Sequence, residues 1–249
     1  MVMGGFEHIL IIGGGVGGAL AHDLVLRGYR VTLVEKGALL CGPTGRHHGL
    51  LHSGARYVLH DPEAARECWQ ENQILRRIAP QAIEPNGGLF VALNERDRSL
   101  QAEFVERCRS IGIPARPVSG ELAVRMEPAL NPALQSAVMV PDAGMDAWRL
   151  PMHFFASARV NGAEIRTFTE VTGLRMAGRA VAGVEVVDHR TQRSATIGAD
   201  LVVNAAGPWS ARVAAMAGVR IPVQPGPGVM VSLRGRLTQR VINRLQPAG

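Results

Sequence analysis

Lysine is nearly absent from this 249-residue chain. Lys36 is the single lysine among 27 basic residues, so arginine carries the net charge of +6 and the pI near 10.2. A basic excess suits an anionic ligand or an acidic membrane surface. Aromatic residues make up only 4%. No arginine-rich helix or nucleic-acid module appears, which argues against a nucleic-acid partner. Cysteine is scarce too: Cys41, Cys68 and Cys108 are odd in number, far apart and without C-x-x-C spacing. They read as reduced thiols and suggest neither a disulfide framework nor a metal site. No apolar run is long enough to span a bilayer. Glycines and Glu35 interrupt the apolar N-terminal stretch, so it is not a secretion signal. The remainder, 47% hydrophobic and 19% charged, is ordinary soluble composition, enough for one large domain or two small ones.

What is abundant is glycine, and its placement is specific. His8–Ile12 is an apolar run suited to a buried parallel strand. Gly13, Gly15 and Gly18 follow as G-x-G-x-x-G, and Val16, Leu20 and Leu24 mark one stripe of a helix that stops near Gly28. Arg30–Glu35 is a second strand ending in an acid. Gly13 permits the tight turn, Gly15 lets backbone N–H groups approach a pyrophosphate, and Gly18 lets the helix pack closely on the strand. The helix N-terminus adds partial positive charge. Glu35 can accept from a ribose 2′-hydroxyl and would repel a 2′-phosphate. The combination points to a dinucleotide; the bland alternative is a glycine-rich turn with no ligand.

Residues 37–60 form a long Gly- and His-rich segment holding Arg46, His47, His48, His52, Arg56 and Tyr57. Loops this long inside a domain are usually functional. Metal ligation by its histidines lacks a nearby acid or cysteine to complete a shell. A helix from Pro62 to about Ala79, capped by Asp61, follows, then a strand at Gly88–Leu93 and an amphipathic helix from Asp97 to Ile111 ended by Gly112. Ser119 caps a short helix to Met126, Ala137–Val140 is a strand, and a helix runs from about Asp146 to Val160. Ile165–Phe168, Val171–Met176, Val181–Val187 and Ser194–Ile197 read as a β-meander. Leu201–Asn204 is a buried strand that completes the first sheet and runs into Ala205–Gly207, where small residues suit close approach to a ligand. Trp209–Ala217 reads as a helix and Val229–Leu233 as a last strand. The domain expectation is a discontinuous nucleotide-binding domain over 1–80 and 137–220, its meander at about 164–198, with a partial cap region over 81–136 and 221–249.

Thr44–Tyr57 (TGRHHGLLHSGARY), with Ala65–Cys68, Glu71–Leu75, Glu127–Leu134 (EPALNPAL), Val203–Gly207 (VNAAG) and Val241–Arg244 (VINR), resembles the FAD-dependent glycerol-3-phosphate dehydrogenases, above all the catalytic A-type chain of their anaerobic, quinone-linked branch. The resemblance implies an α/β fold: a Rossmann-like FAD-binding domain of the glycine-oxidase type with an inserted α+β substrate region. It assigns Gly13, Gly15, Gly18, Glu35 and the adjoining Lys36 to the ADP half of FAD. Thr44, Gly45, His48, Gly49 and Leu50 fall along the pyrophosphate and flavin, Val171 beside the adenine, and Ala206 and Gly207 along the cofactor again. Arg56 and Tyr57 match a pair that, in aerobic relatives, holds the substrate phosphate or lies beside it, which fits the bidentate chemistry of a guanidinium. The implied reaction oxidises sn-glycerol 3-phosphate to dihydroxyacetone phosphate, with electrons passed through partner subunits B and C to a quinone at the cytoplasmic membrane, where the protein is peripheral. His52 is the candidate base. The alternatives are a 2-hydroxy acid substrate of the 2-hydroxyglutarate type, or a truncated chain that only binds partners. Family members run longer, with a Gly-Gly-Lys segment and a Gly-x-Arg-Pro loop that this sequence lacks. The expectation is therefore an N-terminal fragment, nearly inactive alone. Pro225–Met230 (PGPGVM) also departs from a Lys-Gly found there in some relatives.

Overall fold

The computed structural model describes residues 7–246, which form two compact units. One comprises the chain up to His47 together with Ala147–Met230; the other comprises His48–Asp146 and the chain from Val231 onward.

The first unit is built on a four-stranded parallel sheet in the order Leu201–Asn204, His8–Ile12, Arg30–Val34, Glu164–Arg166. Side chains alternate across it. Ile9, Ile11, Val31 and Leu33 face the helices Val16–Leu26 and Arg149–Val160, packing with Ala21, Phe155 and Ala158. Leu10, Ile12 and Val34 face the other way, onto Val171, Val184, Val186 and Ile197 of an antiparallel meander, Thr169–Ala177, Ala180–Asp188 and Arg193–Gly198. The strand Leu201–Asn204 does complete the first sheet, pairing Ile9 with Leu201 and Ile12 with Asn204, but it is not buried as expected: at the sheet edge both its ends are exposed. The helix ends at Leu26, and Gly28 follows with φ +90°.

Three expectations change in this unit. The segment read as the first meander strand is Glu164–Arg166, paired in parallel with Thr32–Val34; alternation alone cannot tell which sheet a strand joins. Gly17, not Gly18, meets the strands: a Cβ there would lie 2.9 Å from Ile11. Gly18 instead lies against the Phe155 ring, 2.6 Å from a would-be Cβ, and sets a helix–helix contact. The helix expected over Trp209–Ala217 is a 3₁₀ turn, Gly207–Trp209, and a short helix, Ser210–Ala215.

The second unit holds a mixed sheet in the order Val241–Arg244, Gly88–Ala92, Ser136–Val140, Arg116–Ser119. Phe90, Val138 and Val140 pack under the helices Pro62–Ile78 and Gln101–Ile111 through Ala65, Phe104, Val105 and Cys108. Leu89, Val91 and Ala137 pack on Ala123 of the helix Gly120–Met126. The expected caps form: Asp61 accepts from the Ala64 N–H at 3.0 Å and Ser119 from the Leu122 N–H at 3.1 Å. A small antiparallel sheet, Leu50–Leu51, Ala143–Met145 and Ile83–Glu84, crosses the middle of the long Gly- and His-rich segment. The helix expected from Asp97 is two, Glu95–Ser99 and Gln101–Ile111. Val229–Leu233 is not a strand: Val229 is 88% exposed and Val231 78%. The strand is Val241–Arg244, parallel to Gly88–Val91. It is anchored by buried Glu127, whose carboxylate accepts from the Gln239 and Arg240 N–H groups, each at 2.9 Å.

Candidate functional site

In the first unit the glycine turn is crowded on every side where a side chain would stand. A Cβ on Gly13, which sits at φ +111°, would meet the Ala205 carbonyl oxygen at 2.4 Å. On Gly15 it would meet Thr44 Oγ1 at 2.5 Å, and on Gly45 the Leu40 carbonyl oxygen at 2.2 Å. Bare backbone is thus enforced where the strand turns into the helix. Gly15 is the helix N-cap, no side chain caps it and no acid occupies the first turn. The positive end of an 11-residue helix is left facing outward.

Glu35 closes the turn. Its Oε2 accepts from the Gly14 N–H at 2.7 Å and its Oε1 from the Gly37 N–H at 2.9 Å. A carboxylate oxygen has a second lone pair, so both retain capacity for ribose hydroxyls. Lys36 Nζ lies 4.2 Å from the Trp209 ring centroid, a cation–π contact. Ala206 packs behind the sheet, and its N–H donates to Asn204 Oδ1 at 3.3 Å. Gly207 follows at φ +55°. The Val171 side chain is buried in the core, leaving only its backbone available to a ligand. The glycine turn, Glu35 and Ala205–Gly207 all follow the C-terminal ends of strands in the first sheet.

The second unit gathers the others. Gly49 sits at φ +67° and its carbonyl accepts from the Met145 N–H at 2.8 Å. The Leu50 N–H donates to His48 Nδ1 at 3.1 Å. The His48 and His52 rings meet edge-on at 5.3 Å. Arg56 Nη1 donates to His52 Nε2 at 3.2 Å, and its guanidinium lies 5.3 Å from the Tyr57 ring. Arg56 and Tyr57 line a cavity of about 320 Å³ with His60, Phe90, Asn243 and Arg244. Arg244 is already committed to Asp97 by two bonds, 3.0 and 3.1 Å. A larger, shallower hollow of about 640 Å³ lies along Gln101–Ile111, and its charged residues come from two helices, Arg98 from one and Glu106 and Arg109 from the other.

Sequence reasoning missed the group beneath His52. Asp142 is 1% exposed. Its Oδ1 accepts from the Ser53 N–H at 2.7 Å and Ser53 Oγ–H at 2.6 Å. Its Oδ2 lies 3.3 Å from Asn243 Nδ2 and 3.5 Å from His52 Nδ1. Burial pushes the Asp142 carboxyl up, but hydrogen bonds from His52 and from the Ser53 side chain and backbone outweigh it and hold the group below the usual carboxylate value. Its charge is felt nearby: burial first, and Asp142 second, push the Cys108 thiol up to about 12. Asn72, fully buried, donates to the His52 carbonyl at 3.0 Å, and Arg76 donates to Asn72 and to the Pro141 carbonyl, each at 2.7 Å. In the sequence Asp142 read only as part of a Pro-Asp-Ala-Gly turn, and no local signal tied it to His52.

Comparison with known families identifies the cofactor. The family described as DAO, FAD dependent oxidoreductase, matches residues 8–247. The chain belongs to the FAD-dependent oxidoreductases. FAD is the cofactor of this family, and the glycine cradle, the open helix N-terminus and Glu35 fit its ADP half. Among relatives, the A-type chain of anaerobic glycerol-3-phosphate dehydrogenase from Escherichia coli strain K12 is 48% identical over 239 residues, 96% of this chain and 44% of that protein. The A1-type chain of the same enzyme from Haloferax volcanii is 44% identical over 252 residues, 97% of this chain and 43% of its own length. The chain thus spans less than half the length of these relatives. Among solved structures, glycine oxidase from Geobacillus kaustophilus aligns with a TM-score of 0.76 at 24% identity, covering 96% of this chain and 66% of that one. The fold of this FAD-dependent oxidoreductase is therefore the α/β glycine-oxidase type expected from the resemblance.

Proposed function

We propose that this chain carries the FAD-binding and phosphate-gripping residues of an enzyme that oxidises sn-glycerol 3-phosphate to dihydroxyacetone phosphate. The observation that carries the reading is Arg56. It lines a cavity beside Tyr57 while its guanidinium donates to a neutral-type partner, His52, rather than to an acid. A guanidinium so held is available to a phosphate, which it binds through two parallel donors. The names of the relatives agree in substrate with that chemistry.

FAD, when bound, supplies the hydride acceptor. The chain's own residues do the rest. Gly13, Gly15, Thr44 and Gly45 would line the path of the pyrophosphate, with Glu35 at the ribose and Lys36 beside it, while Gly18 seats the helix on Phe155 behind them. In the second unit His48, Gly49 and Leu50 would meet the flavin; in the first, Val171, Ala206 and Gly207 would offer backbone to the cofactor. Arg56 and Tyr57 orient the substrate by its phosphate. His52 takes the C2 hydroxyl proton, with Asp142 behind it stabilising the imidazolium that forms. The relatives are named as one lettered component of their enzyme, which supports a complex of several different chains. We assign B- and C-type partners that pass electrons to a quinone, with the complex peripheral on the cytoplasmic membrane. No helix among the described residues is long and apolar enough to cross one. The test compares binding of sn-glycerol 3-phosphate, glycerol and 2-hydroxyglutarate to the FAD-loaded chain and its Arg56→Ala variant.

A further inference from the structure

One imidazole stands between a guanidinium and a buried carboxylate, and the donors and acceptors can be arranged in one way only. Arg56 Nη1 lies 3.2 Å from His52 Nε2. Arginine has donors and no acceptor, so Nε2 must offer its lone pair. The neutral ring then carries its proton on Nδ1, which faces Asp142 Oδ2 at 3.5 Å. Asp142 accepts from every neighbour: Ser53 through N–H and Oγ–H at 2.7 and 2.6 Å, and Asn243 through Nδ2 at 3.3 Å. The ring is fixed from behind, and its backbone is held by Asn72. The single basic lone pair of His52 is therefore covered by Arg56.

The cover is weak by construction. Among the described residues Arg56 makes no ion pair; it holds only the imidazole and the face of Tyr57. Arg244, in the same cavity, is clamped by Asp97. An anion entering the cavity finds one committed arginine and one that can change partners. The guanidinium makes one bond to the uncharged imidazole, whereas a phosphate oxyanion takes two parallel charge-assisted bonds from the same fork.

We propose that the Arg56–His52 hydrogen bond is a latch: the anionic group of the substrate draws the guanidinium off Nε2 and so uncovers the base. The inference rests on the reading of Arg56 as the phosphate grip and His52 as the base. Once Nε2 is uncovered, the substrate hydroxyl O–H bond breaks. The proton goes to Nε2, its electron pair stays on oxygen, and the imidazolium lies against Asp142. Phosphate binding and base release become one event, so an alcohol without the anionic group meets a covered base.

The test uses the chain labelled with ¹⁵N-histidine, with His52 identified by loss of its signals in His52→Gln, and inorganic phosphate as the probe. Without phosphate, His52 shows the Nδ1-protonated pattern. Phosphate shifts the Nε2 resonance saturably, with the midpoint of phosphate binding measured by calorimetry. In Arg56→Ala, and in Arg56→Gln as a second variant, Nε2 stands off its parent position from the start and phosphate moves it no further. Three results overturn the latch. A ring found as the Nε2–H tautomer does so directly. Phosphate that binds in an Arg56-dependent way while His52 stays unmoved removes the latch and leaves the anion site standing. The absence of any saturable phosphate binding removes both.

Discussion

Replacing Asp142 by alanine tests whether this carboxylate is the anchor of the His52 loop. Ser53 is 0% exposed, and its N–H and Oγ–H both point at Asp142 Oδ1. Alanine leaves two buried donors with nothing to accept from them, at about 1–3 kcal/mol each. Asn243 Nδ2 and His52 Nδ1 lose an acceptor as well, at longer range. Removal of a buried charge offsets part of this, since the carboxylate no longer has to be desolvated. The net expectation is a loss of roughly 3–5 kcal/mol, and a fall in Tm on the order of 10 °C for a chain of this size. Asp142→Asn separates anchoring from charge. The amide oxygen still accepts from Ser53, so the cost falls to about 1–2 kcal/mol, set by an amide NH₂ now turned on Asn243 and His52. Urea unfolding of the parent and both variants, with Ser53→Ala added for a double-mutant cycle, gives the comparison. The reasoning is refuted if alanine costs no more than asparagine, or if Ser53 and Asp142 show no coupling. Acid works in the same direction. The Asp142 carboxyl is held below its ordinary value of 3.8, so its contribution is complete above that value and is lost as pH falls through the lower native one.

Two glycine substitutions and one histidine extend the test to the scaffold. Gly18→Ala forces a methyl into the Phe155 ring and should cost about 1–3 kcal/mol of overpacking, whereas Gly28→Ala, at φ +90° with nothing within 4 Å, carries backbone strain alone of about 1–2 kcal/mol. Repacking with Phe155→Leu should rescue the first and leave the second unchanged, as read by thermal unfolding. His8 is buried on the first sheet; it accepts from Arg30 at Nδ1 and pairs with Thr32 at Nε2. Burial, and then the Arg30 charge, lower it from 6.5. A base whose native value is depressed stabilises the fold fully above 6.5 and less as pH falls below it. Urea midpoints between pH 7 and 5 should therefore fall in the parent by more than in His8→Gln.

The parts of the fold legible in the sequence were those whose signal is local. His8–Ile12, the glycine turn, the helix after it and Glu35 announce themselves within thirty residues. Leu201–Asn204 can be returned to the first sheet because an apolar strand running into Ala205–Gly207 needs a neighbour, although as the edge strand it is half exposed rather than buried. Pairing between distant strands was not legible. Glu164–Arg166 alternates equally well in a meander or beside Val34. Val229–Leu233 has strand-like residues among prolines but no partner, while the four-residue Val241–Arg244 gains one through Glu127. The helix starting early at Glu95 depends on Asn94, which accepts from the Asp97 N–H at 2.9 Å, and on Asp97 being buried by Arg244. The site divides in the same way. His52, Arg56 and Tyr57 lie within one loop and were read together, whereas Asp142 lies 90 residues on and Asn243 a further 101. Only folding puts the carboxylate behind the imidazole.

The central claim is that Arg56 grips the phosphate of a three-carbon alcohol phosphate. Calorimetric titration of the FAD-loaded chain with sn-glycerol 3-phosphate, glycerol and 2-hydroxyglutarate, repeated on Arg56→Ala, measures it directly. Losing a charge-assisted pair worth about 1.5–3 kcal/mol weakens binding by roughly 10- to 150-fold. The account predicts that sn-glycerol 3-phosphate binds more tightly than both competitors and that Arg56→Ala removes the advantage. Glycerol binding as well as its phosphate, 2-hydroxyglutarate binding better than either, or an Arg56→Ala variant with parental affinity would contradict it.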